Sequence, residues 1–248
     1  MEFREVLNKK LDKNIIALGT KVGDLLDINI DKYNSIVITG ETGTGKSVML
    51  DQIILQMITK YTSDELRLVL VDTTGVELSY YKDTNYSLLT AINDIDASME
   101  VLIKIIEERD RRKQILIDNL VSSIEEYNNK YGHNIPKLLV AIDDNKGLLR
   151  ERDADGIISK LLSDLDNLNI LFVLSTNDLN NKFFEEDNNL LSKVLISFDT
   201  SSIEDSAKAN IPFTSDLLTG KFIAYRDGNY EEYQNLEFDQ NIIKEIID

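Results

Sequence analysis

Four short runs along the chain are apolar at nearly every position: residues 36–39, 66–71, 138–142 and 170–174. Each ends in polar residues, at Gly40, Asp72, Asp143-Asp144 and Ser175-Thr176-Asn177. Between them, apolar positions fall at helical spacing. After the first run these are Met49, Ile53, Ile54, Met57 and Ile58, and a long stretch from Asp96 to about Tyr131 carries Met99, Leu102, Ile103 and Ile106 on one face. Runs that are apolar throughout predict strands buried on both faces, and their alternation with helices predicts an α/β fold with a parallel sheet covered on both sides. A break at Asp118-Asn119 divides the long stretch into two helices, and a further helix over 154–168 precedes the fourth run. Later strands are expected at 194–198 and 221–225, with a tail helix from about Gln240. Residues 1–35 read as a polar helix and two short strands, 14–19 and 25–30, packed on a core of 36–248 within one domain. The pairs Asn180-Asn181 and Asn188-Asn189 read as loops.

The residues that follow the first run are Gly40-Glu41-Thr42-Gly43-Thr44-Gly45-Lys46-Ser47, then Val48 and the helical pattern. G-x-x-x-x-G-K-S between a strand and a helix has the spacing of a phosphate-binding loop. Gly40, Gly43 and Gly45 let the backbone take positive φ and turn its N–H groups onto β- and γ-phosphate oxygens. Lys46 supplies a point charge to the same phosphates, the Ser47 hydroxyl is a ligand for Mg²⁺, and the helix adds its positive end. Residues Glu41, Thr42, Gly43, Thr44, Gly45, Lys46, Ser47 and Val48 are therefore expected to bind ATP with Mg²⁺.

Such a loop needs an acid on a neighbouring strand to hold the cation from the side opposite Ser47, and Asp143 suits that role. Asp144, next along, is placed to orient or deprotonate a water that attacks the γ-phosphate. Asn177, after the fourth run, either senses that phosphate or fixes the attacking water, or is a turn residue. Glu77 lies near the same edge, and chemistry alone assigns it no role.

Composition narrows the chemistry further. The 248 residues include no cysteine and one histidine, His133, so thiolate and zinc sites are excluded and any metal is a hard cation held by oxygen. No run approaches the roughly 18 apolar residues of a membrane span, and Met1-Glu2-Phe3-Arg4-Glu5 lacks the order of a signal peptide, so a soluble cytoplasmic protein is expected. The net charge of −17 disfavours generic binding to nucleic-acid phosphates and leaves room for local contact only. Arg109, Arg111, Arg112 and Lys113 form the one dense basic stretch. Set among Glu107, Glu108 and Asp110, they read first as a solvated, ion-paired helix face, with nucleic-acid contact or a role between subunits as the alternatives.

Several stretches together resemble the motor domain of the FtsK/SpoIIIE family of DNA translocases. They are Ile16-Ala17-Leu18-Gly19 leading to the phosphate loop, residues 64–72 continuing to Gly75-Val76-Glu77-Leu78-Ser79-Tyr80-Tyr81, residues 105–112, Ile124-Glu125-Glu126-Tyr127-Asn128, and residues 171–177. The resemblance implies a RecA-like P-loop NTPase, with ATP bound between the subunits of a homo-oligomeric ring, often a hexamer, that moves or transfers double-stranded DNA. It assigns catalytic roles to Lys46, Asp144 and Asn177 and cation binding to Ser47 and Asp143.

The departures from the family pattern bear on catalysis. Where the family has Asp-Glu, this chain has Asp143-Asp144, so the second carboxylate reaches about 1.5 Å less. Thr73-Thr74 replaces a lysine after Asp72, Asn177 replaces a glutamine, and residues 161–169 lack the family's basic character. ATP binding is expected to survive these changes better than hydrolysis. The chain ends soon after Phe238-Asp239-Gln240, so membrane or DNA-reading parts would come from partner proteins, or the chain does not translocate DNA as its relatives do. Two further readings stay open: a protein-export module like those of type VII secretion, and a nucleotide-binding regulatory module with weak hydrolysis.

Overall fold

All four apolar runs are strands. In chain order the elements are α1 (Phe3–Asn8), β1 (Ile15–Lys21), β2 (Asp24–Asn29), β3 (Ser35–Thr39), α2 (Lys46–Lys60), β4 (Leu66–Asp72), β5 (Ser87–Ile92), α3 (Ile95–Asn119), α4 (Ile124–Tyr131), β6 (Lys137–Asp144), α5 (Ala154–Leu162), β7 (Ile170–Thr176), β8 (Val194–Ser197), β9 (Lys221–Arg226), β10 (Asn229–Gln234) and α6 (Asn241–Ile247). The computed structural model describes residues 1–145, 147–162, 165–177, 194–200 and 217–247. The loops expected at Asn180-Asn181 and Asn188-Asn189 lie outside the described residues.

The strands form one sheet in the order β2-β1-β10-β9-β8-β3-β7-β6-β4-β5. From β8 to β5 all pairings are parallel, as the apolar runs predict. The remainder is antiparallel, so the sheet is mixed. The β1–β2 hairpin continues this same sheet through β10. There α2 supplies a polar partner to β1: the Gln56 amide accepts from Ala17 N at 2.8 Å and donates to Ala17 O at 2.8 Å, beside the register shift between Ala17 and Gly19.

Two apolar cores lie on opposite faces. One gathers α1, α2 and α6 around Leu139 and Ala141 of β6, and the other gathers α3 and α5 around Leu138, Val140 and Ile142. This alternation along β6 follows from the two-residue period of a strand and decides the fate of its terminal acids.

The long helical stretch is indeed divided. Asp94 caps α3, accepting from Ala97 N at 2.9 Å, and Leu120 closes it in the left-handed region at φ 50°. Ser123 then caps α4 through Glu126 N at 3.0 Å, and Glu126 reaches back to Ser122 N, a reciprocal capping arrangement. Helix α5 ends at Leu162, with Leu168 turned through a hydrogen bond to Leu165 O.

The basic stretch of α3 is a solvated face only in part. Arg109 and Arg112 are buried, at 4% and 1% exposure. Arg112 donates to the carbonyls of Leu168 at 2.8 Å, Asn169 at 3.0 Å and Pro136 at 3.0 Å, and to Glu108 at 2.7 Å. Arg109 donates to the Lys160 carbonyl and to Asp110. These carbonyls lie at the end of α5 and in the connections leading into β6 and β7, where a guanidinium with five donors satisfies backbone groups that would otherwise be stranded. Arg111 keeps the expected exposed position, paired with Glu108 at 2.6 Å.

Candidate nucleotide site

Parallel register brings the polar ends of the strands into rows. Asp72, Asp143 and Ser175 stand side by side on β4, β6 and β7, and Asp144, Thr176 and Thr39 form the next row, ending at the phosphate loop. This is the edge where open α/β sheets bind ligands.

The loop 40–47 turns by positive φ at Gly40 (140°), Gly43 (83°) and Gly45 (122°). Gly40 is held by space as well as by conformation, because an added Cβ would stand 2.7 Å from Phe198 Cβ. Three segments brace the loop from outside. Glu41 N donates to Asp199 O at 2.8 Å, Gly220 N to Thr44 O at 3.2 Å, and Asn235 Nδ2 to Gly45 O at 3.5 Å. The backbone N–H groups of Thr42, Gly43 and Gly45 have no hydrogen-bond partner among the described residues. They form the donor set that a polyphosphate would fill.

Lys46 is buried and donates to Gly40 O at 2.9 Å and Glu41 O at 3.0 Å. Burial pulls its ammonium below the ordinary value, while Asp143, Glu41 and Glu77 oppose the change. Ser47 and Val48, in the first turn of α2, are half-buried. Asp143 faces the same side of the sheet as α2. Its Oδ1 accepts from Ser175 Oγ at 2.8 Å and its Oδ2 from Asn145 Nδ2 at 2.7 Å, which fixes the carboxylate near Lys46. Burial pushes its pKa up to about 6, against the Ser175 hydrogen bond.

Asp144 does not join this group. Its Oδ1 accepts from Gly147 N at 2.9 Å and Leu148 N at 2.7 Å, and its Oδ2 from Leu149 N at 3.1 Å. The side chain thus caps the single 3₁₀ turn Leu148–Arg150, whose leucines belong to the core opposite α2. Asp144, expected to orient or deprotonate a water, is placed on the face opposite Asp143, because a one-residue step along a strand reverses the face. Asn177 follows β7 at the ligand edge and is exposed.

Other groups at the site carry weaker sequence signals. Asp72 winds the following loop around itself, its Oδ1 accepting from Thr74 N, Thr74 Oγ1 and Gly75 N and its Oδ2 from Leu78 N, all within 2.8–3.0 Å. Thr73 ties that loop to β6 through Asp143 O. Asp51, one turn beyond Ser47, accepts at 2.7 Å from the Tyr81 hydroxyl in the turn Ser79–Tyr81. A carboxylate among Met49, Leu50, Ile53 and Ile54 was the visible sign of that pair.

The model of the FtsK/SpoIIIE family matches residues 4–176, more than half of the chain. The chain belongs to the FtsK/SpoIIIE family. The DNA translocase FtsK of Campylobacter jejuni subsp. jejuni is 30% identical over 163 residues, which is 62% of this chain and 17% of that protein. The DNA translocase FtsK of Borreliella burgdorferi is 30% identical over 169 residues, covering 64% and 22%. This FtsK/SpoIIIE chain therefore spans about a fifth of the length of those relatives. Among solved structures, the pCW3 conjugation coupling protein TcpA, in a monomer form with ATPγS, superposes with a TM-score of 0.78 at 21% identity over 96% of this chain and 70% of that one. EssC (ATPases 2 and 3) from Geobacillus thermodenitrificans gives 0.75 at 22% identity over 94% and 48%. These likenesses show the RecA-like P-loop ATPase fold.

One consequence for this FtsK/SpoIIIE domain is a pH-dependent stability. Burial pushes Asp51 from 3.8 up to about 7, against the hydrogen bond from Tyr81 and with Glu77 and Asp143 adding repulsion. Between those values the folded chain holds a proton that the unfolded chain has lost, so stability falls as pH rises from about 4 to about 7. At about 1.4 kcal/mol per unit the loss is on the order of 4 kcal/mol, and it persists at higher pH. Asp51→Asn keeps an acceptor for Tyr81 and removes the buried charge. Its stability relative to wild type is expected to be a few kcal/mol better at pH 8 than at pH 5. Urea denaturation of both proteins at the two pH values checks this, and an equal gap at both would refute it.

Proposed function

We propose that this chain is a motor module that binds ATP with Mg²⁺ at residues 40–47, hydrolyses it, and couples turnover to movement of double-stranded DNA within a homo-oligomer. The observation that carries the reading is the placement of Lys46 and Asp143 on one face of the sheet, beside a loop with three open N–H donors, in a chain of the FtsK/SpoIIIE family. Ser47 and Asp143 fit Mg²⁺, since two oxygen donors are the usual protein share for this ion. Bound there, the cation would neutralise charge on the phosphates. Lys46 would bind the same phosphates, and Asn177 stands at the edge where the γ-phosphate would end.

The FtsK relatives named above are DNA translocases, which favours DNA as the substrate moved. The net charge of −17 favours a protein substrate instead, so movement of a protein is the second reading. The test is ATP hydrolysis with and without double-stranded DNA, beside the mass in solution with and without ATP. DNA is expected to raise turnover, and ATP to raise the mass to a multiple of 28.2 kDa. Hydrolysis that DNA leaves unchanged, with no DNA binding at low salt, would refute the DNA reading and favour a protein substrate.

A further inference from the structure

We propose that Glu77 is the carboxylate that holds the attacking water and takes its proton during ATP hydrolysis, an inference that rests on the ATPase activity proposed above. Asp144 is unsuited to this step, because its two oxygens already accept three backbone N–H groups on the face of the sheet opposite α2. Glu77 sits on the other face. The bonds of Asp72 to Thr74, Gly75 and Leu78 fold residues 73–78 back toward α2, and Leu78 and Tyr81 are buried in the core that contains α2. Glu77 immediately precedes Leu78 and is half-buried, close enough for its charge to act on Lys46, Asp143 and Asp51.

What distinguishes Glu77 is its lack of other engagements. Asp72 accepts four hydrogen bonds, Asp143 is held by Ser175 and Asn145, and Asp51 is held by Tyr81. Glu77 makes no side-chain hydrogen bond or ion pair among the described residues. Among the described carboxylates whose charge acts on Lys46, it is the one with both oxygens open to a water. In the step, the water oxygen bonds to the γ-phosphorus while the bond from that phosphorus to the bridging oxygen breaks. The electron pair leaves with ADP, and the proton of the water passes to Glu77, from which it returns to solvent as phosphate departs.

The whole chain and its Glu77→Gln and Asp144→Asn variants, each given ATP and Mg²⁺, test the assignment. Glu77→Gln is expected to melt as the wild type does and to bind a fluorescent ATP analogue within about threefold of it. Its phosphate release is expected to be slower by about 10²–10⁴, and the isolated variant should carry intact ATP where the wild type carries ADP. Asp144→Asn is expected to lower the melting temperature, since Oδ2 is lost as an acceptor, while turnover per folded chain stays within about threefold. Near-wild-type turnover by Glu77→Gln would overturn the assignment and leave the ATPase reading intact. So would an Asp144→Asn variant that melts normally and cannot turn over. A wild-type chain that binds ATP and hydrolyses none of it, with or without DNA, would overturn both.

Discussion

Lys46→Ala is expected to abolish the thermal stabilisation that ATPγS gives the wild-type chain and to lower ATP turnover by at least about 10²–10³. The ammonium is buried at the mouth of the loop and hydrogen-bonded to Gly40 O and Glu41 O, so it is already organised where a polyphosphate would lie. A ligand present at a hundred times its Kd stabilises the folded state by about 2.7 kcal/mol, a shift of several degrees for a chain of this size. Without the charge, affinity falls and the shift vanishes. The apo protein should melt close to wild type, because removing a lysine whose ammonium is disfavoured by burial offsets the loss of two hydrogen bonds. Thermal melts with and without ATPγS, beside a phosphate-release assay, decide the matter. An undiminished ATPγS shift in the variant would show that nucleotide binds elsewhere.

Arg112→Ala is expected to destabilise the fold by about 3–5 kcal/mol, the range for breaking a buried charged pair, and to lower the melting temperature by on the order of 10 °C. The guanidinium satisfies the carbonyls of Pro136, Leu168 and Asn169 while pairing with Glu108. Burial alone would push Glu108 up, but its bonds to Arg111 and Arg112 outweigh this and hold it below the ordinary carboxylate range. Truncation leaves three carbonyls and a half-buried carboxylate short of donors, together with a cavity. Arg112→Met refills much of the volume without restoring any donor, so it should recover only a minor part of the loss. Differential scanning calorimetry of the two variants separates packing from hydrogen bonding. A shift below about 2 °C in both would mean that the guanidinium is dispensable.

The two arginines also show where reading the sequence stops. Arg109 and Arg112 stand among Glu107, Glu108 and Asp110, a local pattern of a solvated helix face. Nothing local indicates that the connections into β6 and β7 pass over that helix with carbonyls to satisfy. Strand β5 is easily missed because its edge position leaves Leu88 exposed and breaks the apolar run. Strand β10 is polar on both faces, yet Asp227-Gly228, with φ of 51° and 83°, is a two-residue hairpin signal that would have revealed it.

The sequence by itself determined the elements that depend on local chemistry. Apolar runs specified β3, β4, β6 and β7, glycine spacing specified the loop 40–47, and the pattern over residues 4–176 specified the family. Parallel strands ending in polar residues were enough to place Gly40, Asp72, Asp143 and Ser175 at one edge. Only the tertiary structure decided which acids share the α2 face of the sheet with Lys46. A strand reverses its side chains at each residue, and what covers each face is set by helices distant in sequence. Asp143 therefore stands on the α2 side, close enough for its charge to act on Lys46, Asp144 turns to cap a loop on the other, and Glu77, five residues beyond the end of β4, is folded back to the α2 side by the loop around Asp72.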